Sequence, residues 1–333
     1  MRRTSGRRAC APPTIRPVQA FYSDHFVLPL PEGHRFPMAK YRLLRERVAA
    51  ELAGIQLSEP DAASVGQLAL AHAPDYIERV LDGRLEPHEV RAIGFPWSPP
   101  MVERSQRSAG ATIGACRAAR LSGVAVNLAG GTHHAHRARG AGYCVFNDAA
   151  VAARVLQADG ASQRRVLPVA IIDLDVHQGD GTAEILTGDD SVFTLSVHGA
   201  TNFPFRKQRS DLDVALPDGT RDEDYLAALD AALRELQRRF NPGFIVYLAG
   251  ADAHEGDRLG KLALSSAGMV ARDRRVFDLA AQLGVPIAVA MAGGYGRDIA
   301  TTVDVHLNTV RAAFDAWVRR QGTSGMRVAA RHV

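Results

Sequence analysis

Val166–Thr182 reads VLPVAIIDLDVHQGDGT, and its two halves follow different rules. Val166–Val176 is an apolar, β-branched run of the kind that fills a strand buried on both faces of a parallel sheet. Into its end are set Asp173, Asp175 and His177. At i, i+2 and i+4 of an extended strand these side chains point to one face. Two carboxylates and an imidazole on a core strand are costly to bury unless something compensates them. A divalent cation is the natural compensation, and Asp and His both suit zinc. A catalytic zinc usually takes three protein ligands, of which Asp175 and His177 supply two. Asp252, just past the apolar run Phe244–Ala249, is the best third; His254 and Asp257 are rivals by position alone.

Outward from this stretch, apolar runs alternate with helical patterns. Short runs occur at Gly123–Ala129, Val192–Val197, Phe244–Ala249 and Pro286–Ala292. Helices are expected at Lys40–Leu52, 101–122, Asp148–Leu156, Thr182–Leu186, Asp222–Phe240, Ser266–Leu283 and Asp298–Trp317, with shorter ones in 61–82. That alternation predicts an α/β fold: a single domain with a mostly parallel central β-sheet flanked by helices on both faces. Ligands of such sheets bind beyond the carboxyl ends of the strands. Two further strand ends carry unusual residues there. His133 and His134 follow Gly130-Gly131, and Tyr295 follows Gly293-Gly294. Either imidazole can exchange a proton with water or a leaving group, and Asp173 and Asp180 are available to fix the rings. Tyr295 suits a phenol that bonds a developing oxyanion. His136 is expected to face solvent. GGYG lacks the later glycine of a dinucleotide fingerprint.

Composition narrows the rest. The 333 residues are 46% apolar and 23% charged, which excludes collagenous, disulfide-scaffold and wholly disordered chains. No apolar run is long enough to span a membrane. The net charge of +4 is small, and arginines at the two ends supply much of it; no basic stripe interleaved with aromatics suggests nucleic acid. Residues 1–18 read as a disordered basic extension, 19–318 as the folded domain and 319–333 as a disordered basic tail. The three cysteines (Cys10, Cys116, Cys144) have neither zinc nor redox spacing. With no secretory signal, a reducing cytoplasm is the expected location.

GGTHH (Gly130–His134), GYCVFND (Gly142–Asp148), IDLDVHQGDGT (Ile172–Thr182), LSVHG (Leu195–Gly199), GADAHEGDRLG (Gly250–Gly260) and GGY (Gly293–Tyr295) stand in the order of the histone deacetylase family. The resemblance runs from about Phe21 to about Phe314, and the stretches FYSDHFVLPLPEGHRFPMAKY and NFPFRKQRSDLDVALPDGT look most like bacterial, class IV-like members. It implies the arginase–deacetylase fold. It implies an amidohydrolase that removes acetyl or other acyl groups from N-epsilon-acyl-lysine by metal-activated water. The metal would be Zn2+, with Fe2+ as the alternative, held by Asp175, His177 and Asp252. His133 and His134 match the catalytic pair, backed by Asp173 and Asp180, and Tyr295 matches the transition-state phenol. Gly142, Tyr143 and Leu259 match the substrate tunnel. A structural K+ site would use Asp173, Asp175, His177, Ser196 and Val197. Two features depart from the pattern. Ala292 stands where the family often has glycine, and the second tunnel aromatic has no secure match, although Asn202–Phe205 lie in that region. Competing readings are an acetylpolyamine or other small acyl-amine amidohydrolase, a long-chain fatty-acyl-lysine deacylase, and an inactive acyl-lysine binding module. The ureohydrolases that share the fold hold two manganese ions and would need an acidic ligand at Gly179, so one metal is expected. No membrane or nucleic-acid partner is implied.

Overall fold

The chain alternates helix and strand along most of its length. In order the elements are β1 (Val18–Phe21), α1 (Ala39–Glu51), β2 (Ile55–Ser58), α2 (Val65–Leu68), α3 (Pro74–Leu81), α4 (Pro87–Ile93), α5 (Pro99–Ser122) and β3 (Val124–Asn127). There follow α6 (Asp148–Asp159), β4 (Val169–Asp173), α7 (Asp180–Leu186), β5 (Val192–Gly199), β6 (Leu212–Leu216), α8 (Asp222–Arg239), β7 (Phe244–Leu248), α9 (Ser266–Leu283), β8 (Ile287–Ala290) and α10 (Ile299–Ala329). The computed structural model describes residues 16–160 and 166–329, the side chains as far as residue 322.

All eight strands lie in one sheet, in the order β2-β1-β3-β8-β7-β4-β5-β6, and every neighbouring pair is parallel. Both faces are covered. On β4, Ala170 and Ile172 join one buried cluster with Leu44 of α1, Tyr225 of α8, Phe277 of α9 and Val310 of α10. Val169 and Ile171 join the other, with Ile77 of α3, Ile113 of α5 and Val151 of α6. A strand buried on both faces needs apolar side chains at successive positions, which is why the run beginning at Val166 does not alternate. Each such Val, Ile or Leu contributes about 1.5–3 kcal/mol relative to exposure.

The strand order positions the site. β3, β8, β7 and β4 are four neighbours in the middle of the sheet, and the loops after them carry His133-His134, Tyr295, Asp252 and Asp175–His177. Residues far apart in sequence thus meet at one edge.

The sequence reading needs correction at three places. β4 stops at Asp173, so Asp175 and His177 lie in a bend and not on an extended strand. Side-chain bonds curl the chain there: Asp173 Oδ1 accepts from the Asp175 N–H at 3.1 Å and Asp175 Oδ1 from the His177 N–H at 2.9 Å, in the manner of Asx turns. The folded region begins before residue 19. Val18 is fully buried in β1 and Trp317 Nε1 donates to the Arg16 carbonyl at 3.2 Å. At the other end, 319–329 continue α10. Residues 1–15 and 330–333 of the two expected tails lie outside the described residues.

Candidate active site

A cavity of about 320 Å³ opens at the carboxyl edge of the sheet. Its floor holds Asp175 and His177, its sides His133, His134 and Tyr295, and its upper wall Gly142, Tyr143, Phe203 and Leu259.

The histidine loop is tied down from α6. Asn147 caps that helix by accepting from the Ala150 N–H at 3.0 Å, and its amide donates to the carbonyls of His133 and Ala135 at 3.3 and 3.1 Å. Asp148 accepts from the N–H groups of Gly131 and Thr132 at 2.9 and 2.7 Å. Held this way, the two rings lie 4.2 Å apart between centroids, tilted by 49°, and each turns Nδ1 to a carboxylate. His133 Nδ1 lies 2.6 Å from Asp173 Oδ2, and His134 Nδ1 lies 2.6 Å from Asp180 Oδ1. Donation from Nδ1 leaves Nε2 of each ring for other chemistry. His136, expected in solvent, is buried and places Nε2 3.0 Å from Asp180 Oδ2. The Asp180 carboxylate draws this ring inward, and the ring in turn braces the carboxylate behind His134.

The two rings differ in charge. Burial would lower the pKa of His133, but the carboxylates of Asp173 and Asp175 outweigh it and raise the ring to about 9. For His134, burial together with the neighbouring His133 charge prevails over Asp180 and pushes it down to about 4. Burial would raise Asp180; bonds from His134 and His136 hold it well below the usual carboxylate range.

Asp175, His177 and Asp252 offer donor atoms that all lie within 4.8 Å of one another. His177 Nδ1 lies 2.9 Å from Asp175 Oδ1 and 3.2 Å from Asp252 Oδ2. That second approach lacks hydrogen-bond geometry: Asp252 Oδ2 is a buried oxygen with no hydrogen-bond partner. Burial, then the Asp175 charge, pushes Asp252 up to about 7. A buried, partnerless carboxylate oxygen beside a second carboxylate and an imidazole is a donor set that fits a divalent cation. No bulkier residue could stand beside it, because a Cβ on Gly293 would come within 2.0 Å of Asp252 Oδ2 and one on Gly250 within 2.6 Å of Asp175 Oδ2. The rivals serve elsewhere. His254 Nε2 meets Ser266 Oγ at 3.1 Å, and Asp257 accepts from the N–H groups of Tyr295, Leu259 and Gly260. At Gly179 a Cβ would approach Asp173 Oδ2 to 2.3 Å, so an acidic side chain there is excluded sterically. Asp173 and Ser196, two of the residues implied for potassium, are register partners on β4 and β5.

Tyr295 is braced from three sides. Its N–H donates to Asp257 Oδ2 at 2.6 Å, and its carbonyl accepts from Arg258 Nε at 2.9 Å. Lys40 Nζ, buried on α1, donates to the carbonyls of Ala292 and Gly294, both at 3.3 Å. Burial holds the phenol well above its usual range, so it stays an O–H donor. Ala292, at the departure from the family's glycine run, takes φ 53°, a left-handed conformation that costs about 1–3 kcal/mol and that proteins retain at functional sites.

Several residues that shape the cavity were missed from sequence. Phe203 lines the cavity with its ring edge-on to His134 at 4.8 Å; within Asn202–Phe205 no periodic pattern singles it out. Lys40 sits in an ordinary helical pattern. Asn147 and Asp148 had a signal, since Asn or Asp before a helical run marks an N-cap.

Fold and site together define a parallel α/β protein whose strand-end cavity gathers a carboxylate–imidazole group and two carboxylate-backed histidines. Residues 34–310 match the histone deacetylase domain. The chain is 43% identical over 298 residues to an uncharacterized protein of Picosynechococcus sp., covering 89% of this chain and 98% of that one. It is 31% identical to histone deacetylase 2 of Arabidopsis thaliana, covering 74% of this chain and 65% of that one. Among solved structures, an HDAC homolog complexed with SAHA superposes with TM-score 0.76 at 25% identity, covering 90% of this chain and 84% of that one. The chain belongs to the histone deacetylase family and is a hydrolase of amide bonds. No described helix is long and apolar enough to cross a membrane.

Proposed function

We propose that the chain removes acyl groups, acetyl first among them, from the ε-amine of acyl-lysine, with zinc or ferrous iron held by Asp175, His177 and Asp252. One observation carries this reading: Asp175 and His177 of the three-donor group, the carboxylate-backed histidine pair and Tyr295 all line one cavity. A divalent ion held there supplies Lewis-acid polarisation of the amide carbonyl and acidifies a water from a pKa of about 15.7 toward 7. The residues do the rest. His134, kept neutral by burial, accepts the proton of the attacking water at Nε2 while Asp180 holds its Nδ1. His133, its Nδ1 held by Asp173, presents Nε2 beside the reacting carbonyl. The Tyr295 hydroxyl donates to the oxyanion that develops there. As the C–N bond breaks, the proton taken by His134 passes to the departing amine, and the products are a free amine and a carboxylate. Tyr143, Phe203 and Leu259 line a slot suited to an extended methylene chain.

The test is turnover of acetyl-lysine peptide, myristoyl-lysine peptide and acetylated putrescine and spermidine, with zinc or ferrous iron, after chelation, and with His134→Ala. Metal-dependent hydrolysis of a lysine peptide that His134→Ala removes is the expected result. Hydrolysis of the polyamines alone would overturn the lysine assignment. Binding of the panel without turnover, metal bound, would favour an acyl-lysine binding module.

A further inference from the structure

The mouth of the cavity carries charge of one sign. Arg91, exposed near the end of α4, lines the main cavity. Arg35 and Arg258, both exposed, line an adjoining hollow of about 220 Å³ that shares Leu259 and Tyr295 with it. Arg35 and Arg91 have no hydrogen-bond or ion-pair partner among the described residues. Arg258 uses Nε on the Tyr295 carbonyl, and no bond from its Nη atoms occurs among the described residues. Elsewhere Arg42, Arg47, Arg79, Arg84, Arg107 and Arg117 each pair with a carboxylate. No acidic side chain lines either hollow except Asp175 at the floor.

Resting on the amide-hydrolase reading above, we propose that this mouth recognises a carboxylate beside the acylated amine, so that the substrate is an acyl-lysine in an acidic setting. A guanidinium presents a planar fork that fits a carboxylate in two-point contact. Three of them on separate segments around one opening, Arg91 on α4 and Arg35 and Arg258 on two loops, concentrate an anion at the entrance and repel a cation before it enters. A lysine-rich tail or a polyamine meets like charge at this mouth. The carboxylate can come from an Asp or Glu side chain flanking the acyl-lysine in a protein, or from the α-carboxylate of free N-epsilon-acetyl-lysine.

The experiment uses the full chain with metal bound. Acetyl-lysine peptides of equal length would carry Asp/Glu, Ser/Gly or Lys/Arg at the two flanking positions on each side. Free N-epsilon-acetyl-lysine and its methyl ester form a second arm. Each is followed by kcat/KM, and each labelled peptide by fluorescence anisotropy, which reads recognition whether or not turnover occurs. The acidic peptide is expected to exceed the basic one by about tenfold at 0.05 M salt, mostly through KM. The preference should shrink severalfold at 0.5 M salt, because exposed charges are screened. Arg35→Glu/Arg91→Glu should invert the ratio of acidic to basic peptide, a ratio that a general loss of folding or activity does not move. Preference for the free amino acid over its ester, with none among the peptides, supports carboxylate recognition and assigns its source. Equal handling of acidic and basic peptides in both rate and binding, with no effect of the ester, would overturn the proposal. Absence of turnover with an intact binding preference would instead count against the hydrolase assignment alone.

Discussion

His133 and His134 are adjacent in the chain, equally buried, and each bonded to one carboxylate at the same distance, yet their charges differ. The second carboxylate makes the difference. Asp175 Oδ1 lies 3.8 Å from His133 Nε2, and nothing comparable stands by His134. While no cation answers the Asp175 charge, one ring is thereby held charged and the other neutral, and the neutral His134 is the ring able to accept a proton. Tyr295 completes the set. Because burial keeps its phenol protonated, Tyr295→Phe should remove one oxyanion donor and lower kcat by about 10²–10³ with little change in KM. Steady-state kinetics on an acetyl-lysine peptide measure this, and an unchanged kcat would exclude the donor role. Most of these residues were legible in the sequence because each breaks a local rule. Asp175 and His177 interrupt an apolar run, and the histidine pair and Tyr295 follow double glycines. Phe203 and Lys40 were not legible, since an aromatic in a loop and a lysine in a helix break none. Their placement depends on packing between segments far apart in sequence.

At the scale of elements, Arg272 of α9 joins what the strand order brings together. Fully buried, its Nη1 donates to Leu174 O at 3.1 Å and Gly250 O at 2.6 Å, one carbonyl beyond β4 and one beyond β7. Its charge is answered by Asp273 Oδ1 at 2.8 Å, which also accepts from the Tyr247 hydroxyl at 2.6 Å. The two loops that carry Asp175 and Asp252 are thus fixed to the same guanidinium. Removing one partner of a buried ion pair leaves the other charge uncompensated. Arg272→Met should therefore cost about 3–5 kcal/mol in urea unfolding, and adding Asp273→Asn should return part of it. A cost below about 1 kcal/mol for the single variant would show that the pair does not hold these loops. The central strands were readable from sequence because each is a nearly uninterrupted apolar run. β2, β6 and α4 were not. The strands are edge strands of four and five residues with half-exposed faces, and α4 has seven residues. In so few residues neither a period of 2 nor one of 3.6 stands out from chance.

Over the whole molecule, the buried histidines outside the reaction centre link stability to pH. His72 precedes α3 and bolts that helical layer to the histidine loop and to α6, with Nδ1 donating to the His136 carbonyl at 2.9 Å and Nε2 accepting from the Asn147 N–H at 2.8 Å. Using one nitrogen as donor and the other as acceptor requires the neutral ring, and burial pushes its pKa down to about 4. The unfolded chain protonates this side chain near pH 6.5. Between those values the unfolded state binds more protons, so the contribution of His72 is complete above about pH 6.5 and is lost as pH falls toward 4. Asp252, pushed up to about 7, works in the opposite direction whenever its site lacks a cation, so the total pH profile mixes the two. Comparison of variants separates them. His72→Asn removes the titrating ring but leaves Asp252 in place, so the Asp252 contribution cancels between the two proteins. His72→Asn should be less stable than the natural chain at pH 7 because the ring spans two partners that a shorter amide cannot both reach. On going to pH 5 that deficit should narrow by about 2 kcal/mol, since only the natural chain loses the His72 contribution over this interval. Urea unfolding of both proteins at the two pH values measures the narrowing. A deficit that stays constant would mean that His72 titrates normally in the folded chain, and hence that the bolt between the helical layer and the histidine loop opens to solvent.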